Sequence, residues 1–273
     1  MRMNAMRSRP GDASGGSISG KMKRGARWPE GYSRRVLASV DSTNAEGARI
    51  APVLAGPEWI LALKQTAARG RRGRAWANPP GNFAATLVMR PSESPDRVAL
   101  RSFVAALALY DALVAATGRT EGFALKWPND VLLNGGKLAG ILLESAGSGG
   151  SLSHFAIGIG VNLRNAPDRA EVAPGAARPV SLASETGIAI APEPFLDLLA
   201  PAYAQHEAQF VTYGFAPIRA AWLARAAKLG ETIVARTSRD THEGRFETVD
   251  EAGNLVLATA RGRQAIAAAD VFF

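Results

Sequence analysis

The stretch FALKWPNDVLLNGGKLAGILLE, residues 123–144, decides the fold, because it contains three apolar runs separated by two short breaks. The second break contains Asn134-Gly135, a pair that favours a tight hairpin turn. A fourth apolar run comes next along the chain. The predicted strands are residues 123–127, 131–133, 138–144 and 155–161. Four consecutive strands with short connections predict an antiparallel region of a sheet.

Outside this stretch, strand-like and helical patterns alternate, which predicts a mixed α/β body in which helices flank the sheet. Thr43 and Glu46 have the spacing of a capping box that opens a helix ending near residue 51. Apolar groups recur at helical spacing over residues 96–117, which predicts a long core helix. The other expected elements are strands at 36–40, 59–64 and 84–89, and helices at 192–212 and 215–226.

The C-terminal segment changes to short strands and turns after residue 229, a spacing that suits a small β-barrel. We therefore expect three parts: a disordered basic tail over 1–30, a catalytic body over 31–226 and a barrel over 227–273. The tail is rich in Gly, Ser and Arg and lacks apolar periodicity. The barrel strands are expected at 233–236, 244–249, 254–258 and 264–268.

The charge distribution argues against a nucleic-acid-binding body. The net charge is +8, but residues 1–27 hold seven Lys or Arg and one Asp, so that only +2 belongs to the rest. A body with so little net charge gives no strong electrostatic reason to bind nucleic acid. The dense cluster from Arg69 to Arg74 needs a local explanation instead.

Composition also excludes several locations and kinds of chemistry. No run of about 18 uncharged apolar residues occurs, and the basic N-terminus is not followed by an apolar stretch, so neither a membrane span nor a secretory signal is expected. The absence of cysteine excludes disulfides and thiolate chemistry. His154, His206 and His242 lack metal-ligand spacing. We expect a cytoplasmic protein without a metal site of its own.

The segment QTAARGRRGR, residues 65–74, directly follows a predicted strand. Its glycines allow close backbone approach, and its four guanidiniums are fork-shaped donors suited to phosphate or carboxylate. A solvated basic turn is the alternative, and a run of Arg and Gly alone favours that turn. A P-loop is excluded, because no Gly-Lys-Ser/Thr follows.

Lys126 ends an apolar strand, and burying an ammonium is costly unless an anion compensates it. An inward-facing Lys126 that meets an anionic ligand is one interpretation, and an ion pair with Asp130 is the other. The glycines of GIGVN, residues 158–162, are a weak signal, since glycine in a strand also marks bulges or tight packing.

Taken together and in this order, DSTN (41–44), QTAARGRRGR, KWPNDV (126–131), GKLAGILLE (136–144) and GIGVN resemble the successive signatures of biotin protein ligases. The resemblance spans about residues 35–273, and KWPND followed by GKLAGIL is its most specific part. It departs from the family at Ala68, where glycine is usual. It implies a mixed, largely antiparallel sheet with flanking helices, like that of class II aminoacyl-tRNA synthetases and lipoate ligases, and a C-terminal SH3-like barrel.

The resemblance also implies an ATP-dependent, AMP-forming reaction. Biotin and ATP would give biotinoyl-5'-AMP, and biotin would then pass to a lysine of a biotin carboxyl carrier domain. Mg²⁺ would be bound to the ATP phosphates. The arginine segment and the loop over 164–179 would exclude water from the adenylate. We expect a ligase of the type without an N-terminal DNA-binding domain, with no specific DNA or membrane partner, as a monomer or homodimer.

The resemblance assigns roles residue by residue. Catalysis would fall to Lys126, Arg69 and Arg71. Asn129 would help to place a phosphate or metal, and Lys137 would steady the turn. Biotin would be bound by Ser42, Thr43, Asn44, Gln65, Arg69, Gly70, Arg71 and Lys126. ATP or the adenylate would be bound by Arg71, Arg72, Arg74, Lys126, Asn129 and Asn162.

Two alternatives differ in testable features. A lipoate or octanoate ligase would carry an Arg-Arg-x-Ser-Gly-Gly-Gly signature, of which residues 14–16 are the sole echo. The Ser-Thr-Gln set suits a ureido head, which exchanges hydrogen bonds that a dithiolane cannot. A DNA-binding repressor would need several tens of periodic residues before the ligase body, whereas about 30 low-complexity residues precede it.

Overall fold

The computed structural model describes residues 27–148, 151–169 and 177–273. Residues 1–26 of the tail that was predicted to be disordered lie outside the described residues. So do residues 170–176, at the centre of the loop over 164–179. The described residues form a seven-stranded sheet, a five-stranded sheet, six α-helices and two short 3-10 helices.

The seven-stranded sheet confirms the mixed architecture. Its spatial order is β1-β2-β3-β7-β6-β5-β4. Strands β1 and β2 pair in parallel and every other neighbouring pair is antiparallel, including the four consecutive strands predicted from residues 123–161. The strands are β1 Ser33–Leu37, β2 Glu58–Ala62, β3 Phe83–Met89, β4 Phe123–Lys126, β5 Asp130–Leu133, β6 Gly136–Ser148 and β7 Ser151–Val161.

Most of the helices match predicted ones. They are α1 Thr43–Ile50, α2 Pro95–Ala99, α3 Arg101–Thr117, α4 Leu182–Thr186, α5 Pro192–Tyr213 and α6 Phe215–Leu223. The single helix expected over 96–117 is two helices, because the N–H groups of Leu100 and Phe103 each bond to the residue three positions back. Helix α4 was not predicted, since it has only five residues and is defined by its Ser181–Ser184 capping box.

The predicted capping box of α1 is wrong. Ser42 is the N-cap residue and its side chain makes no capping hydrogen bond. The Thr43 side chain turns instead toward the Gln65 side chain and the Thr86 hydroxyl. The start of α1 is therefore specified by long-range contacts rather than by its own turn.

Helices α3 and α5 cover one face of the large sheet. Trp59 on β2 meets Tyr203 edge-on at 5.8 Å, and Phe83 on β3 meets Phe195 at 5.0 Å. Pro95–Thr117 is long and apolar enough to cross a membrane, with a mean hydropathy of 1.7, but most of it is buried within the protein. Its apolar character is explained by the core that it completes.

The C-terminal strands form an antiparallel sheet in the order β11-β10-β9-β8-β12, which confirms the small β unit. They are β8 Thr232–Arg236, β9 Thr241–Val249, β10 Leu255–Thr259, β11 Gly262–Ile266 and β12 Asp270–Phe272. Strand β12 was not predicted, because three residues carry no periodicity. The indole of Trp127 donates to the Gly253 carbonyl at 3.0 Å and joins this sheet to the body.

Candidate active site

A cavity of about 650 Å³ opens where the start of α1, the segment after β2, the β4–β5 turn and β12 meet. Its lining includes every residue to which the sequence assigns a site role except Arg72. Residues brought together from positions 42 to 162 thus share one site. The predicted residues that line it are Ser42, Thr43, Asn44, Gln65, Arg69, Gly70, Arg71, Arg74, Lys126, Asn129, Lys137 and Asn162.

The polar side of the cavity is built at the N-terminus of α1. Ser42, Thr43 and Asn44 are all buried, although each carries a polar side chain. The side-chain oxygen of Gln65 accepts from the Thr43 N–H at 2.7 Å. Buried polar groups held by such bonds keep fixed directions, which a ligand with matching donors and acceptors can use.

The glycines of GIGVN allow two side chains to lie directly on β7. A Cβ added at Gly158 would be 3.0 Å from the Asn44 Cγ, and one added at Gly160 would be 2.7 Å from the Trp76 indole nitrogen. The indole also lies over Gly140 of β6. The tight-packing interpretation of these glycines therefore applies, and the tightly packed partners belong to the cavity.

The arginine segment lies against the C-terminal sheet. Asp270 of β12 is 2.6 Å from Arg72, 3.4 Å from Arg74 and 3.8 Å from Arg71. Arg69 pairs separately with Glu144 at 3.3 Å. The segment is thus a docked element rather than a free basic turn. Arg72 is positioned by Asp270 and does not line the cavity.

Arg71 is the most enclosed guanidinium of the segment. Its Nη1 donates to the Asn129 side-chain oxygen at 3.4 Å and to the Ala269 carbonyl at 3.5 Å. Burial lowers the pKa of Arg71 below its usual value, with the nearby Asp270 carboxylate opposing that shift. An arginine still keeps its charge at neutral pH.

Lys126 is half-buried on the cavity wall and makes no ion pair with any residue that the structure describes. Asp130, the alternative partner, pairs instead with Lys137 at 2.7 Å. Burial lowers the pKa of Lys126, with Asp130 acting in the opposite direction. The geometry therefore favours the interpretation in which Lys126 meets an anionic ligand.

Two asparagines of the site already have partners. The Asn129 amide nitrogen donates to the Ile141 carbonyl at 2.5 Å, so its oxygen faces Arg71. The Asn162 amide nitrogen donates to the Val180 carbonyl at 3.0 Å. Their amide nitrogens donate to neighbouring backbone carbonyls, so direct contact with a nucleotide would use their side-chain oxygens.

The charge of the cavity is cationic. Five lysines and arginines line it, against the carboxylates of Asp130 and Asp270, which are both ion-paired. Within the described ranges, no cluster of three His, Asp or Glu could hold a metal ion. These residues fit a magnesium ion that arrives on the phosphates of a nucleotide rather than one held by a protein cage.

Four contributing residues were not assigned a role from the sequence: Thr86, Glu144, Trp76 and Asp270. Trp76 follows the arginine segment, and its position between an Arg–Gly run and a Pro–Gly turn was the available signal. Asp270 lies almost 200 residues from the arginines that it pairs with. No local pattern indicates such a contact.

Comparison with known proteins identifies the family. The model of the Biotin/lipoate A/B protein ligase family matches residues 36–162, and that of the Biotin protein ligase C terminal domain matches 228–273. Biotin--[acetyl-CoA-carboxylase] ligase of Paracoccus denitrificans is 60% identical over 238 residues, which are 87% of this chain and 99% of the relative.

More distant relatives and solved structures point to the same family. Bifunctional ligase/repressor BirA of Bacillus subtilis is 31% identical over 216 residues, which are 78% of this chain and 65% of that protein. The fold matches the biotin protein ligase from Aquifex aeolicus in complex with biotin and ATP, with a TM-score of 0.73 and 24% identity over 88% of this chain and 97% of the other. The chain belongs to the biotin protein ligase family.

Proposed function

We propose that the cavity binds biotin on its polar side and ATP along its cationic side, and joins them to form biotinoyl-5'-AMP. The observation that carries this proposal is the position of Lys126, a half-buried cation on the cavity wall beside the arginine segment and the buried Ser-Thr-Asn set. A carboxylate and a triphosphate repel each other, and fixed cations offset that repulsion.

Biotin recognition is assigned to the polar residues. Ser42, Thr43, Asn44 and Gln65 present hydrogen-bonding groups to the ureido head, while Gly70 allows close approach of the backbone. Asn129, Asn162 and Arg74 line the part of the cavity assigned to the nucleotide. Arg72 lies outside the lining, so we assign it a supporting role through Asp270.

The reaction needs positioning and charge more than acid–base chemistry. A biotin carboxylate oxygen attacks the α-phosphorus of ATP, the bond to the β-phosphate oxygen breaks, and pyrophosphate leaves. Lys126, Arg69 and Arg71 stabilise the charge that develops on the phosphoryl oxygens. Magnesium supplies further charge neutralisation when ATP carries it into the site.

Transfer follows on the same site. A neutral lysine amine of a biotin carboxyl carrier domain attacks the acyl carbon, the bond to the AMP oxygen breaks and AMP leaves. The amine loses one proton to solvent as the amide forms. We propose the acetyl-CoA carboxylase carrier as the acceptor, on the printed name of the Paracoccus relative. We place the reaction in the cytoplasm, with the protein as a monomer or homodimer and with no specific DNA or membrane partner.

We propose the domain division stated from the sequence, with a basic tail over 1–30, a catalytic body over 31–226 and a C-terminal unit over 227–273. Support comes from the start of β8 at Thr232 and from the family match that begins at residue 228. Asp270 then belongs to the C-terminal unit but lines the catalytic cavity.

The experiment that tests this function follows both half-reactions of the full chain. Biotin and ATP labelled in the α-phosphate should yield labelled biotinoyl-AMP, and addition of a carrier domain should convert it to AMP and biotinylated carrier. A carrier whose acceptor lysine is arginine should leave the adenylate unconsumed. Absence of biotin-dependent adenylate in the first stage would contradict the proposal.

Gly158→Ala should weaken biotin binding by roughly 10- to 100-fold, because the new Cβ displaces the Asn44 side chain from its buried hydrogen bonds. Isothermal titration with biotin alone measures this. Gly56→Ala is the matched control, since its Cβ meets one backbone oxygen at an ordinary 3.4 Å. Equal affinities for both variants would remove Asn44 from the biotin site.

The rate should also depend on the ionisation of Lys126. Burial lowers its pKa below the usual 10.5, and the ammonium is the form that attracts phosphate. Rising pH therefore removes the charge, and kcat/KM for ATP should fall on the alkaline side, starting below pH 10.5. Lys126→Arg should shift that fall to higher pH. An unchanged profile in this variant would assign the titration to another group.

A further inference from the structure

A chain of hydrogen bonds runs beneath the cavity through two residues that do not line it. Thr86 of β3 is fully buried, and its hydroxyl lies 2.8 Å from the Thr43 hydroxyl and 2.5 Å from the Asn44 side-chain oxygen. Glu144 of β6 lies on the other side of Asn44, 2.7 Å from its amide nitrogen. Both residues therefore contact members of the proposed biotin site from behind.

The direction of these bonds follows from the chemistry of the groups. An ionised carboxylate can only accept, so Asn44 turns its nitrogen to Glu144 and its oxygen to Thr86. The Thr43 hydroxyl donates to the Gln65 side-chain oxygen at 3.1 Å. The single proton of Thr86 then faces two acceptors, the Asn44 side-chain oxygen and the Thr43 hydroxyl. Gln65 accepts the Thr43 N–H at 2.7 Å. Thr86 thus lies between Thr43 and Asn44 and contacts both through one hydroxyl group.

The chain also reaches the arginine segment. The second oxygen of Glu144 lies 3.3 Å from the Arg69 Nε. The Arg69 side chain is 48% exposed, so an ion pair there adds little to stability but does restrict the direction of the guanidinium. Glu144 therefore joins the polar side of the cavity to the first arginine of its cationic side.

The backbone between the two ends of the chain is anchored as well. The N–H of Thr66 donates to Val40 at 2.9 Å, and the N–H of Ala67 donates to Asp41 at 2.8 Å. These two backbone hydrogen bonds fix the short segment that connects Gln65 to Arg69. The relative placement of the two substrates then depends on the side-chain network.

We propose that Thr86 and Glu144 are positioning residues for the adenylation reaction. Thr86 holds Thr43 and Asn44 in their biotin-binding rotamers, and Glu144 ties Asn44 to Arg69 so that the biotin and phosphate halves stay in register. The proposal rests on the proposed function, and neither residue touches the reacting atoms.

Thr86→Val tests the first part, because valine keeps the shape but leaves Asn44 and Thr43 without their partner. The KM for biotin should rise about 10- to 100-fold while the KM for ATP stays within about threefold. Thr86→Ser should restore biotin affinity to within about threefold. Thr117→Val is the matched control, since it removes a hydroxyl bonded to the Leu113 carbonyl in α3, distant in sequence from every site motif.

Glu144→Gln tests the second part. A carboxamide keeps the size but cannot accept from Asn44 and Arg69 equally well, so kcat for adenylation should fall about tenfold, with the melting temperature changed little. Direct titration with biotin alone should show a smaller loss of affinity than for Thr86→Val, because the Thr86 bonds remain.

The outcomes separate the two levels of the proposal. If the wild-type protein forms no biotinoyl-AMP, the proposed function fails. If the wild type is active and Thr86→Val lowers the melting temperature but leaves the KM for biotin unchanged, Thr86 is merely structural and the inference is overturned. A Glu144→Gln variant with normal kcat overturns its second part.

Discussion

Replacing Lys126 with methionine should lower biotin-dependent pyrophosphate exchange by about 100- to 1000-fold, the loss typical of removing one preorganised donor from a charge-stabilising site. Lys126 lines the cavity and makes no ion pair with a described residue, so its removal breaks no ion pair in that part of the chain. Methionine keeps the apolar stem over Phe273, whose ring lies 4.8 Å from the ammonium. The fold should persist, as measured by thermal unfolding.

Lys64→Met is the matched control for this prediction, since Lys64 is exposed and lies outside the cavity. It should keep the wild-type rate within about twofold, as surface substitutions usually do. A rate for Lys126→Met close to that of the control would remove Lys126 from the reaction.

Arg71→Ala should cost about 100-fold or more in the same exchange, because it removes the guanidinium most enclosed at the cavity and its bonds to Asn129 and Ala269. Steady-state kinetics with ATP varied should place much of the loss in kcat, since the charge is needed most in the transition state.

A graded comparison sharpens this second prediction. Arg72→Ala removes a neighbouring guanidinium that does not line the cavity, so its loss should be at most about tenfold. Arg90→Ala, at an exposed position after β3, should be neutral. An Arg72→Ala variant as impaired as Arg71→Ala would mean that the segment acts through its docking on Asp270 rather than through Arg71.

The sequence predicted the strands and helices whose formation depends on residues close together along the chain. Apolar runs and the Asn134-Gly135 turn predicted the four antiparallel strands, and helical spacing predicted the segment that forms α2 and α3. The motif residues also line one cavity, with the exception of Arg72, although they come from separate parts of the chain.

The errors arise where distant residues decide. Thr43 has the spacing of a capping box, but Gln65 and Thr86 offer its side chain better partners. The docking of the arginine segment depends on Asp270, which belongs to a strand too short to show a pattern. The two glycines of β7 fitted either a bulge or tight packing, and the structure shows Asn44 and Trp76 packed against them.

The position of Lys126 also illustrates what a sequence leaves open. An ion pair with Asp130 and an anionic ligand were equal alternatives, because both fit a lysine at the end of an apolar strand. The register places Asp130 opposite Lys126, yet Lys137 takes the carboxylate. Of these two lysines, Lys137 pairs with Asp130, and Lys126 makes no ion pair with a described residue.

Pyrophosphate exchange by the full chain, with biotin, lipoate and octanoate offered separately, tests the central claim most directly. The polar set of Ser42, Thr43 and Gln65 suits a ureido head, so exchange should depend on biotin and remain at background with the other two acids. Exchange supported by lipoate or octanoate but not by biotin would contradict the account.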